Sequence, residues 1–89
     1  MTDVERIDAV LVRMISLLRL GHSGDWVATL ERCRASLASD MTGTATKLRG
    51  MYGGMGSLND IVLFRDGLVL HQENDEFNSL RSRLYELVR

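Results

Sequence analysis

A glycine-rich segment in the middle of the chain is the first place where the sequence could carry chemistry. Four of the seven residues from Gly50 to Gly56 are glycine, and the whole chain contains eight. A phosphate-binding P-loop needs a lysine directly after its last glycine, but here Gly56 is followed by Ser57. The dinucleotide-binding motif needs a strand before the glycines and a helix after them, and the order predicted below is the reverse. We therefore interpret the segment as a structural loop.

Ser57 also lacks the setting of a nucleophile, because neither a G-x-S-x-G nor an S-x-x-K pattern surrounds it. Glycine tolerates positive φ and the close approach of another segment, at an entropic cost that calls for a structural reason. We interpret Gly53, Gly54 and Gly56 as the residues that shape the loop. Either Gly53 or Gly54 is predicted to have positive φ at the end of a helix.

His71, Glu73 and Asp75 alternate along the sequence and could together bind a cation. Hard-metal sites usually have more ligands, and the sequence shows no second cluster of such residues. We interpret His71 as a half-exposed histidine on a hairpin and expect neither a metal nor a cofactor. Cys33 is the only cysteine, which excludes an internal disulfide and a cysteine metal cage. Its place in a helical apolar stripe is typical of a small buried hydrophobe.

Residues 60–76 form an acidic stretch. They carry five carboxylates against one arginine, a local balance of −4, whereas residues 1–50 balance to +1 and residues 77–89 to +2. Turn formation and the helix dipole account for three of the five carboxylates. Alternatively, the stretch forms an acidic face for a basic partner, and Trp26 adds a hydrophobic anchor. The carboxylates predicted to bind the partner are Asp60, Asp66, Glu73, Asp75 and Glu76.

Length and composition predict one small folded domain spanning residues 1–89. Hydrophobic residues make up 45% and charged residues 26% of the chain, which is ordinary for a globular protein. The net charge of −1 argues against non-specific binding to nucleic acid. Acidic residues near the start argue against a signal peptide, and no apolar run approaches the roughly 20 residues that span a bilayer. We expect a cytoplasmic protein that does not bind membranes.

Three helices are predicted in the first half of the chain. A capping box at Thr2–Glu5, followed by apolar residues at steps of three and four, predicts a helix over residues 3–20 that ends at Gly21. A second helix begins at Ser23 or Asp25 and ends near residue 39. A third begins around residues 42–44 and ends at residues 53–54. The inner stripe of the second helix is predicted as Trp26, Val27, Leu30, Cys33 and Leu37.

A β-hairpin is predicted after the glycine loop, because Asp66-Gly67 separates two apolar runs. Its strands are Ile61–Phe64 and Leu68–His71, with Arg65 opposite Leu68. This register also places Ile61 near Gln72 and therefore Asp60 near Glu73. Both faces of the hairpin are apolar, so either helices cover both sides or one side meets a partner. An alternative interpretation makes Ser57–Phe64 a helix capped by Ser57 and Asp60.

A final helix is predicted from Asn74, which caps it, with Asp75 and Glu76 in its first turn. Its apolar stripe runs from Phe77 to Val88. The predicted fold class is therefore α+β, with three N-terminal helices, a β-hairpin and a C-terminal helix.

The segment Tyr52–Asp60, followed by the apolar strand and the helix over residues 74–87, resembles a family of small uncharacterised bacterial proteins with the motif G-G-M-G-S-x-N-D. The resemblance covers about residues 45–89. It implies an immunity (antitoxin) protein that acts beside a secreted interbacterial toxin, one acting on nucleic acid as a deaminase or nuclease. We expect a protein that is not an enzyme and that covers the active site of a toxin with a basic surface. The competing hypothesis is a structural or regulatory domain that forms a homodimer through the hairpin.

Overall fold

The computed structural model of the protein describes residues 1–22, 24–53 and 56–89. Three N-terminal helices, a two-stranded antiparallel hairpin and a C-terminal helix confirm the predicted α+β fold. A single 3-10 turn, Leu58–Asp60, precedes the hairpin. The helices are α1 (Asp3–Gly21), α2 (Trp26–Leu37), α3 (Met41–Gly50) and α4 (His71–Val88), and the strands are β1 (Phe64–Arg65) and β2 (Leu68–Val69).

Helix α1 is the central element, because both α2 and α4 pack against it. Its start is the predicted capping box: the Glu5 N–H donates to Thr2 Oγ1 at 3.2 Å, and the Thr2 N–H donates to Glu5 Oε1 at 3.1 Å. Burial on more than one face follows from its position between two helices. The buried residues of α1 are Ile7, Val10, Leu11, Met14, Ile15, Leu17, Leu18 and Gly21.

The second and third helices begin differently from one another. Asp25 stands at the N-cap of α2 without a side-chain hydrogen bond, and Ser23, the alternative cap, lies outside the described residues. Helix α3 begins at Met41 because the Asp40 carboxylate accepts the Gly43 N–H at 3.0 Å. It ends at Gly50, so the prediction that it continues to residues 53–54 is wrong. The predicted inner stripe of α2 is confirmed, with Leu30, Cys33 and Leu37 buried and Trp26 and Val27 packed against the core.

The hairpin has the predicted register, with Phe64 opposite Val69 and Arg65 opposite Leu68. Asp66 (φ +53°) and Gly67 (φ +78°) have the two positive φ values that a tight type I′ turn requires. Each strand has only two residues, and the prediction that the second strand includes His71 is wrong, because α4 begins there.

The chain before the hairpin is neither the predicted long strand nor the alternative helix. The Ser57 hydroxyl accepts the Asn59 N–H at 3.3 Å and caps one 3-10 turn, and the chain then leads into β1 without forming a further helix. Residues 61–63 lie outside any strand because only one further backbone bond, from the Leu70 N–H to the Leu63 oxygen at 3.0 Å, extends the pairing towards them.

Helix α4 begins three residues earlier than predicted, with Leu70 and not Asn74 at its N-cap. The Asn74 side chain binds outside its own helix: Oδ1 accepts the Leu63 N–H at 2.8 Å, and Nδ2 donates to the Leu63 oxygen at 3.0 Å. Nδ2 also donates to the Leu70 oxygen at 2.8 Å. The acidic residue of the first turn is therefore Glu73, and the prediction that placed Asp75 and Glu76 there is wrong.

Gly21 allows the end of α1 to pack directly against the hairpin. A Cβ atom at this position would lie 2.8 Å from Leu70 Cδ1 and 2.9 Å from Leu63 Cβ. The predicted helix end is confirmed, but its reason is this close approach and not a left-handed conformation. Within the described ranges, no helix has the length and apolar character needed to cross a lipid bilayer.

Candidate partner-binding surface

The five predicted carboxylates do not form one face, and Glu76 is already bound within the fold. Arg13 on α1 donates from Nε to Glu76 Oε2 at 2.5 Å and from Nη2 to Oε1 at 2.8 Å. This bidentate bond joins α1 to α4 and holds the pKa of Glu76 below its ordinary value. It raises the pKa of Arg13, to which the charge of Glu73 adds a smaller contribution. Glu76 is thus a structural residue, and Glu73 lies towards the same arginine.

Asp60 also has a structural contact, because its Oδ2 accepts the Gly56 N–H at 2.8 Å. The expected pairing of Ile61 with Gln72 is wrong: Ile61 is buried in the core, and Gln72 lies in the first turn of α4. Residues 59–63 run antiparallel to α4, with Leu63 bound to Asn74 and the Asn59 oxygen accepting from Arg81 Nη1 at 3.2 Å. Asp60 therefore lies beside a later turn of α4 than Glu73.

The remaining acidic residues leave their charge towards solvent. Asp66 stands in the hairpin turn and Asp75 on the outer side of α4, and both are exposed. Across residues 1–22, 24–53 and 56–89, no arginine or lysine forms a salt bridge with Asp60, Asp66, Glu73 or Asp75, whereas the ion pairs present use other carboxylates. These four carboxylates are available to a partner, but from separate positions.

The glycine loop is held by residues of its own motif. The Leu58 N–H donates to the Met51 oxygen at 2.8 Å, and Asn59 Nδ2 donates to the Tyr52 oxygen at 2.5 Å. Gly56 has a φ of +73°, whereas Gly53 does not have positive φ, so the prediction is wrong for Gly53. Gly54 lies outside the described residues. The Asn and Asp of the motif therefore close the loop.

Other candidate residues are occupied by packing. Trp26 is half-buried against the core and lines a shallow depression with His22, Thr29 and Met51. Cys33 is buried, and burial raises the pKa of its thiol, which leaves it in the unreactive protonated form. The described part of the chain contains no group of three residues that could hold a metal ion.

The hairpin carries an apolar surface that the predicted partner residues did not include. We call Val62, Phe64, Leu68 and Val69 the hairpin surface, and their exposed fractions are 45%, 49%, 70% and 40%. The opposite side is covered, since Ile61 and Leu63 are buried in the core. The described helices thus cover one side only, which was one of the two alternatives for an apolar hairpin. The signal was present in the sequence, because apolar residues fall on both faces of its strands.

The rim of the hairpin surface contains charges of both signs. A shallow depression beside Val62 and Phe64 is lined by Arg19, Arg65 and Asp66. A second depression lies between the same surface and α4. Its polar lining residues are Asn59, Asn74, Asn78 and Arg81.

A family model described as a domain of unknown function, DUF6966, matches residues 19–71, which is more than half of the chain. This match spans the end of α1, helices α2 and α3, the glycine loop and the hairpin. The comparisons with curated proteins and with solved structures give no match.

Proposed function

The chain belongs to the DUF6966 family, and we propose that it is an immunity protein, which binds and neutralises a bacterial toxin that acts on nucleic acid. In this proposal it acts by binding and carries out no reaction. The observation that carries the proposal is the set of carboxylates between residues 60 and 76 that take part in no ion pair of the described fold. The resemblance of the glycine-loop motif to immunity proteins adds the class of partner.

Charge explains why such carboxylates suit this partner. A toxin that handles nucleic acid binds phosphates with basic residues, so its active-site surface is positively charged. Asp66 and Asp75 are exposed and can approach such a surface without breaking an internal ion pair. Complementary charge speeds association and fixes orientation, while apolar contacts supply more of the affinity.

The proposal is tested with the product of the neighbouring gene as the candidate toxin. We expect the two purified proteins to form a complex on size exclusion, and co-expression to restore growth that the candidate toxin alone prevents. The same toxin with its catalytic residue replaced controls for toxicity that is unrelated to its activity. Growth that stays arrested despite soluble immunity protein, with no complex detected, contradicts the proposal.

A further inference from the structure

We propose that two copies of this chain associate through the hairpin surface, related by a two-fold axis. Exposed apolar side chains that adjoin one another mark a site of contact, whereas scattered ones are ordinary. Here Val62, Phe64, Leu68 and Val69 adjoin on one hairpin, and the described helices pack only against its other side.

The charges of the turn favour a second copy as the occupant. Arg65 and Asp66 are adjacent in the sequence and exposed, and neither takes part in an ion pair within the described ranges. A two-fold interface brings each patch against itself, so Arg65 of one copy can face Asp66 of the other, and the reverse pair forms at the same time. A partner of one charge sign would satisfy only one of these two residues.

The size of the surface sets the expected strength. The four side chains leave roughly 300–400 Å² of apolar surface exposed, as large as the main patch on many monomers. A standard interface buries about 800 Å² on each partner, so this surface with its polar rim reaches the low end. We therefore expect a dimer that dissociates on dilution, with a dissociation constant of about 10 μM or weaker.

Sedimentation of the protein alone tests the proposal. The chain has a mass of 10.0 kDa, and we expect its weight-average mass to rise towards twice that value between about 1 and 500 μM. Val69→Ser should weaken association at least about fivefold, because it removes apolar contact from the interface. The matched control is Val12→Ser, since Val12 lies on α1 and is equally exposed, at 41% against 40%.

A charge exchange identifies the pairing. Arg65→Glu and Asp66→Lys should each weaken self-association, and an equimolar mixture of the two variants should restore it by forming mixed dimers. Circular dichroism and a melting curve of every variant separate loss of association from loss of fold.

Three results would overturn the proposal. They are a parent that remains at 10.0 kDa at every concentration, an equal effect of Val12→Ser and Val69→Ser, and a charge exchange that fails to restore association in folded variants. The first would leave the hairpin surface to a different protein. Because no toxin is present, the outcome is independent of the proposed function.

Discussion

Asn74 joins helix α4 to the segment before the hairpin through its side-chain amide. It accepts the N–H and binds the oxygen of the same residue, Leu63, as a neighbouring β-strand would. Residues 61–63 have no strand beside them apart from one backbone bond, so this amide satisfies backbone groups that are otherwise unpaired. The Leu63 side chain is fully buried, which makes water a poor substitute for the amide.

Asn74→Ala is therefore expected to lower the free energy of unfolding by about 1–3 kcal/mol, because it leaves buried backbone groups of Leu63 unsatisfied. The matched control is Asn78→Ala, four residues later on the same helix, where the side chain is exposed. Urea unfolding measures both. If the two variants unfold at the same urea concentration, the amide does not hold the segment as the structure indicates.

Glu73 and Asp75 are the carboxylates on α4 that a toxin could contact without breaking the bond between Arg13 and Glu76. We expect Glu73→Lys with Asp75→Lys to slow association with the candidate toxin about tenfold at low salt, and to flatten its salt dependence. The control is Asp3→Lys with Glu86→Lys, which changes the net charge equally. These two residues form only exposed local ion pairs, with Arg6 and Arg89.

Stopped-flow association at several salt concentrations makes the comparison, after circular dichroism has shown that the variants are folded. The fold check matters because Glu73 lies in the first turn of α4, where negative charge favours the helix. Equal rates and salt slopes for both double variants would show that this acidic part of α4 is only solvated surface.

The contact between α1 and the hairpin depends on the absence of a side chain at Gly21. Leu70 could rotate its methyl group away from an added Cβ atom, but Leu63 Cβ is fixed to its backbone and would have to move with it. Gly21→Ala is expected to lower the free energy of unfolding by about 1–3 kcal/mol through this overpacking. Gly50→Ala, at the last residue of α3, meets no atom within 4 Å and should be neutral or slightly stabilising. Thermal unfolding distinguishes the two, and equal melting temperatures would contradict the close packing.

The glycine loop offers a second pair of matched substitutions. Gly56→Ala places a side chain at a φ of +73° and should destabilise by about 1 kcal/mol or more. Gly53→Ala should have little effect, because its φ is not positive and a Cβ atom there meets nothing within 4 Å. Melting curves of both variants measure the difference, and a larger loss at Gly53 would mean that the strained position lies elsewhere in the loop.

At the scale of the whole molecule, local signals predicted the fold and contacts between distant residues determined the rest. The capping box of α1 and the Asp66-Gly67 turn involve neighbouring residues, so the sequence alone placed them. The start of α4 was misplaced because Asn74 makes its bonds to a residue 11 positions earlier rather than to its own helix. Likewise Glu76 was assigned to a partner because its arginine lies 63 positions away.

The acid stability of the molecule follows from the two carboxylates whose pKa the fold lowers. Bonds from Thr2 lower the pKa of Glu5, and the bond from Arg13 lowers that of Glu76, relative to the ordinary value of 4.5. A carboxyl group with a lowered pKa in the folded state stabilises the protein fully above its unfolded pKa. That stabilisation is lost as the pH falls through the folded pKa, because the unfolded chain takes up the proton first.

We therefore expect the free energy of unfolding to decrease between pH 5 and pH 3, and to decrease less in Glu76→Gln, which has no carboxyl group to titrate at this position. Urea unfolding at pH 6, 5, 4 and 3 gives the two curves. Arg13→Gln should also flatten the curve, because removing the guanidinium returns the pKa of Glu76 towards its ordinary value. If both variants lose as much stability as the parent between pH 5 and pH 3, the bond between α1 and α4 does not contribute to acid stability.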